Sequence, residues 1–318
     1  MLKRVSAASL LLGSTLIAGL VAGSGLRVSA QDPESVTIRF AAQVGDQPFD
    51  CGQTYELGSL STPMSVSDFR FYVSNLYLVD AAGNRVPVVL EQDGQWQFET
   101  VALLDFEDRS GACANGTVDT RDVVVGTVPA GNYVGLQFQL GIPFNLNHGD
   151  AVLAPSPLNL TSLWWNWRGG YKFVRIDLEP SQPQAGLDRS TLVASTQLLN
   201  PKLLSHGSGH GHGHGQGGSQ NQGFAIHLGS TDCQAAEREQ QPTQPCLHPN
   251  LTEVEFPRFD PATHVVVADL AALVAETNVT TNQPDTPSGC MSGRDDSDCD
   301  SILSHFGITG SQQFFRLD

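Results

Sequence analysis

The 318-residue sequence predicts an all-β fold: a Greek-key β-sandwich with long loops, a few short helices and disulfides. Three observations carry this. Short apolar–polar alternations of period two recur along the chain, as in strands with one buried face. Gly, Pro and Asn cluster between them as turns. Helical periodicity is sparse. Many short strands punctuated by turns read as a sandwich.

Taken in order, Val36, Ile38 and Phe40 alternate with polar residues. Residues 69–79 are aromatic and β-branched, 80–84 read as a turn, and 86–90 as a hairpin return. A turn at 129–132 precedes a strand on which Val134, Leu136, Phe138 and Leu140 share a face. Residues 171–178 form a further strand. On the next, Phe224, Ile226 and Leu228 share a face and His227 takes the other. Residues 252–256 and 264–267 add two short strands. Residues 269–277 predict a short helix with Asp269 as N-cap, and 298–306 another.

Residues 1–30 read as a secretory signal. Lys3 and Arg4 precede an uncharged apolar run, and Val28, Ser29 and Ala30 suit cleavage before Gln31. The run is shorter than the ~20 residues a membrane span needs, so no stable membrane insertion is expected after cleavage. A periplasmic or secreted location follows, with 31–318 as one sandwich domain. Losing three basic residues and no acid takes the formal charge from −16 to −19. So acidic a chain argues against nucleic acid and favours cationic partners, metal ions included.

The cysteines are Cys51, Cys113, Cys233, Cys246, Cys290 and Cys299. An even count in an exported chain implies disulfides, and six allow 15 pairings. Proximity favours Cys51–Cys113, Cys233–Cys246 and Cys290–Cys299; thiolate metal ligation is the alternative. No C-x-x-C or C-x-x-C-H occurs. Nor does G-x-S-x-G or H-E-x-x-H, which leaves a hydrolase little support and favours a protein that is not an enzyme.

Three of the four tryptophans, Trp164, Trp165 and Trp167, fall in one tetrapeptide. Neighbouring strand positions face opposite ways, so Trp164 or Trp165 should point away from the main core. His148 and His227 sit beside ordered sequence and are candidate metal ligands; satisfied polar groups are the alternative. The tract at 205–218 reads as a flexible His/Gly-rich loop, in which His206, His210, His212 and His214 are possible auxiliary metal donors. The acidic run 295–300 lacks the EF-hand spacing and reads as a solvated loop.

Several segments together resemble one family. They are VTIRF at 36–40, DFRFYVSNL at 68–76, LLDFE at 103–107, and GIPF at 141–144 with Asn147 and His148. PSPLN at 155–159 follows, then WNW at 165–167 with GYKF at 170–173. HLGST at 227–231 with Cys233, and GCMS at 289–292 with Cys299, complete the set. In this order they resemble the MbnP-type copper-binding proteins, or metallo-mystery-pair four-Cys-motif proteins. The resemblance implies copper as cofactor. It also implies a di-haem partner of the MauG/cytochrome c peroxidase type that oxidises a tryptophan to kynurenine. It makes Trp165 and Trp167 the modification candidates and His148 and His227 the ligand candidates, with Asn147 and Asp150 orienting His148. A role in copper homeostasis would follow. The competing readings are a disulfide-stabilised structural or adhesive sandwich, and a metal scavenger acting through the His/Gly tract.

Overall fold

A computed structural model describes residues 32–181 and 223–318; the signal segment and the His/Gly tract, with His206, His210, His212 and His214, lie outside the described residues. Two sheets, one of six strands and one of ten, face each other across an apolar core. The chain on either side of 182–222 contributes strands to both sheets.

The long strand Thr62–Asp80 organises the larger sheet. It pairs with Gly170–Pro180, Tyr133–Leu140, Val101–Asp105, Thr54–Leu57 and Arg85–Pro87. Its alternation splits two environments. Phe69 and Phe71 turn inward and meet Phe314, 6.2 and 5.8 Å away between ring centroids. Phe40, on Pro33–Val44 of the smaller sheet, packs edge-on against Phe71 at 6.2 Å and Phe138 at 5.7 Å. Such edge-on aromatic pairs add about 0.5–1.5 kcal/mol each beyond their burial.

Asp68, Arg70, Tyr72 and Ser74 take the opposite face of the same strand, and all are buried. Loops cover this outer face: the Tyr72 hydroxyl donates to the Pro157 carbonyl at 2.9 Å. The larger sheet is therefore buried on both faces, and the outer one is polar.

Two elements differ from the sequence expectation. The return strand at 86–90 divides: Arg85–Pro87 pairs with Thr62–Asp80, whereas Val89–Leu90 crosses to the smaller sheet and pairs with Val123–Pro129. Pro87 lacks the N–H to continue a ladder, which suits a break there. One pair is also parallel: Pro33–Val44 lies alongside Val265–Asp269. The helices are shorter than the sequence signal. Leu270–Val274 is capped by Asp269, whose side chain accepts from the Ala272 N–H, and Asp300–His305 follows a 3-10 turn. In the acidic run, Asp296 and Asp298 accept from the backbone N–H groups of Asp298 and Gln283. No helix among the described residues is long and apolar enough to cross a membrane.

Disulfides join Cys51–Cys113, Cys233–Cys246 and Cys290–Cys299. No cysteine is free, so thiolate ligation is excluded.

The outer face carries a buried charge cluster. Arg70 donates to both carboxylate oxygens of Asp68, through Nε to Oδ1 at 2.9 Å and through Nη2 to Oδ2. Its Nη1 lies 3.5 Å from Glu107. Asp105 Oδ2 and Glu107 Oε2 have no partner among the described residues. Burial pushes Asp105 up to about 8, against the pull of Arg70 and helped by Glu107 and Asp68. Its unfolded value is about 3.9. Between these values the folded chain keeps a proton that the unfolded chain has released, so stability falls as pH rises through the window. The thermal midpoint should therefore drop from about pH 6 to about pH 9, and Asp105→Asn should flatten that slope. An identical slope in the variant would place the pH dependence elsewhere.

Candidate metal centre

His227 lies on Phe224–Gly229, whose apolar residues Phe224, Ile226 and Leu228 alternate into the core. The imidazole therefore points to the outer face, as the sequence predicts. There it stands opposite Arg175 on Gly170–Pro180, and Arg175 stands opposite Arg70. One row along, Asp177 stands opposite Asp68. Like charges directly opposite are unfavourable, and diagonal pairs resolve them. Arg175 contacts Asp68 at 3.2 Å and Asp177 at 2.8 Å, and Asp177 reaches His227 Nε2 at 2.7 Å.

The consequence falls on the other imidazole nitrogen. His227 Nδ1 is buried and has no hydrogen-bond partner among the described residues. Burial lowers the His227 pKa despite the Asp177 hydrogen bond, so the ring is neutral near pH 7. Burial works against the charge of Asp177, but the donors on His227 and Arg175 outweigh it and keep the carboxylate ionised. An ionised carboxylate can only accept, so the proton sits on Nε2 and Nδ1 carries a lone pair. A metal-binding histidine characteristically has one nitrogen held by a carboxylate and the other open as a donor. An orphaned buried nitrogen calls for an explanation, and a bound ion is one.

A loop is laced over this strand. Ser292 Oγ donates to the His227 carbonyl and accepts from the Gly229 N–H, both at 2.9 Å. The His227 N–H donates to the Cys290 carbonyl at 2.9 Å. The Cys290–Cys299 disulfide fixes that loop in turn.

His148 follows the short helix Phe144–Asn147 and is also buried. Its Nδ1 lies 3.1 Å from the Trp167 carbonyl, and burial lowers its pKa. Nδ1 thus donates and Nε2 is left as acceptor, facing Asn147 Nδ2 at 3.3 Å and Cys246 Sγ at 3.6 Å. His148, Cys233 and Cys246 form the single grouping of three potential ligands among the described residues, within 4.8 Å. Its sulfurs are spent in a disulfide. His227 is not in that grouping. Asn147 bridges toward the His227 strand: its Nδ2 donates to Ser230 Oγ at 3.2 Å, and its Oδ1 accepts from the Tyr171 N–H at 2.8 Å. Asp150, expected to orient His148, instead accepts from the Val152 N–H at 2.9 Å and shapes its own turn.

The tryptophans divide as alternation requires. Trp164–Asn166 is a short strand against Gly170–Pro180. Trp164 packs on the core, and Trp167 meets it edge-on at 6.0 Å. Trp165 turns the other way and lines a pocket of about 360 Å³ together with Met291 and Cys233. Its ring lies over Gly229, where a Cβ would come within 2.5 Å of Cζ3. Gly229 is thus the seat for the indole, two residues beyond His227.

Sequence reasoning missed Asp177, Ser292 and Met291. Asp177 carried a usable signal: a charged residue alternating with core residues on a strand beside a histidine strand. Met291 and Ser292 were marked only as part of the GCMS segment, because their roles depend on how a distant loop folds over.

A family model described as MbnP matches residues 33–292. Among solved structures, MbnP from Methylosinus trichosporium superposes with a TM-score of 0.69 at 27% identity, over 90% of this chain and 98% of that one. A comparison with curated proteins finds no match.

Proposed function

The chain belongs to the MbnP family, and on that premise we propose that it is an exported copper-binding protein rather than an enzyme. His227 Nδ1 and His148 Nε2 are the imidazole donors in this reading, and imidazole suits copper. The third donor is a kynurenine, made from a tryptophan by a di-haem MauG-like partner. Indole N–H can only donate a hydrogen bond, whereas the arylamine of kynurenine offers a lone pair. Trp165 is the residue we assign to that modification. Its ring opens on a pocket beside the His227 strand, while Trp167 is packed against Trp164.

The observation that supports this reading best is the His227–Asp177 pair with its open Nδ1. The test is Asp177→Asn, with copper affinity measured by competition against a chromophoric chelator. Loss of the orienting carboxylate should weaken binding about 10–100-fold. Unchanged affinity in a folded variant would refute the role of His227 as a ligand oriented by Asp177.

A further inference from the structure

The pocket beside Trp165 carries a second feature that metal binding does not use. Arg168 and Arg238 both line it, brought together by a backbone hydrogen bond from the Arg168 N–H to the Arg238 carbonyl at 3.1 Å. Several other arginines are tied down: Arg39 to a carbonyl, Arg70, Arg121 and Arg175 to carboxylates, Arg294 to an amide. Among the described residues neither Arg168 nor Arg238 has a side-chain hydrogen bond or ion pair.

The other polar groups of the pocket are already committed. Asn166 Oδ1 accepts from the Gly169 N–H at 2.9 Å and holds the turn. The Ser230 hydroxyl donates to the Pro249 carbonyl at 2.9 Å. Asp232, the one acid in the lining, lies 3.3 Å from His248. The charged donors left free are two guanidiniums, set against an indole face, a thioether and a disulfide sulfur. Two unpaired cations converging on one cleft stand out in a chain of net charge −16. An excess of positive charge along a surface pocket concentrates anions locally.

We propose that this pocket binds a small carboxylate-bearing ligand with a flat aromatic portion. Guanidinium forks match carboxylates in a bidentate way. The indole of Trp165 offers a stacking face. A volume of about 360 Å³ falls at the lower end of the roughly 300–1,000 Å³ typical of small-molecule sites. The inference concerns the chain with Trp165 still an indole, so its test uses metal-free protein made without the oxidising partner and does not depend on the copper reading.

The probe is benzene-1,3-dicarboxylate, titrated calorimetrically into the metal-free full chain at low salt. One-site saturable binding in the sub-millimolar range is the expected result. Arg168→Gln and Arg238→Gln should each weaken it about tenfold, as loss of a charge-assisted bond implies. Arg168→Lys should recover part of the loss. The neutral diamide of the same shape should bind at least about 100-fold more weakly, having no charge for either guanidinium. Thermal melts establish that each variant is folded; both arginines reach solvent, so folding does not depend on them. No saturable heat at millimolar probe, equal binding of the diamide, or binding untouched by both glutamine variants would each overturn the proposal.

Discussion

His227→Ala removes tight copper binding, with a loss of at least about 100-fold in affinity. A ligand should matter more than the orienting partner, whose removal alone costs about 10–100-fold. The imidazole is pre-organised. The imidazole is held by Asp177 on one side, fixed by strand pairing on the other, and covered by the Cys290–Ser292 loop. Little rotamer freedom remains to be lost when a metal arrives. Alanine also removes the imidazole N–H that donates to Asp177 and leaves it Arg175, so a volume-conserving His227→Gln should be measured beside it. Both variants should lose copper while retaining a cooperative melt. Full copper affinity in either variant would move the site away from this strand.

Arg70→Met has the largest expected effect on stability. Arg70 is 4% exposed and faces Asp68 and Glu107 directly, with Asp105 nearby. Methionine fills similar volume but leaves these carboxylates facing one another. Removing one partner from a buried ionic cluster costs about 3–5 kcal/mol, because the remaining charge is uncompensated. Asp68 keeps Arg175 at 3.2 Å, which places the loss near the lower end of that range. In a chain of this size the thermal midpoint should fall on the order of 10 °C. Lowering the pH toward 5 should recover part of it by protonating the orphaned carboxylates. A melt within a degree or two of wild type would show that the cluster is not a source of stability.

Much of the fold was legible because alternation is a local property. The strands at Val36 and at Phe224 each declared an inward face, and the structure buries those residues; on the strand after 129–132 it buries Leu136, Phe138 and Leu140 but leaves Val134 exposed. The outward direction of His227 and the opposed directions of Trp164 and Trp165 followed from the same period of two. What sequence did not reveal was the polar outer layer of the larger sheet. Asp68 and Arg70 alternate with core residues, a pattern compatible with a solvated face, yet both are buried to 4% exposure. The pairing of Asp177 with His227 depends on strand register across 50 residues of sequence. His148 illustrates the same limit in part: of the two neighbours expected to orient it, Asn147 meets its Nε2 at 3.3 Å but Asp150 does not, and Nδ1 is taken by the carbonyl of Trp167, 19 residues away.

Copper affinity is expected to depend on a tryptophan converted to kynurenine beside the His227 strand. Peptide mass spectrometry across residues 163–172, with copper content, on protein made with and without the di-haem partner tests this. Loss of one carbon and gain of one oxygen at Trp165, found only with the partner and tracking tight copper, is the expected result. Unmodified tryptophans in both samples, or tight copper without the modification, would overturn the proposed site.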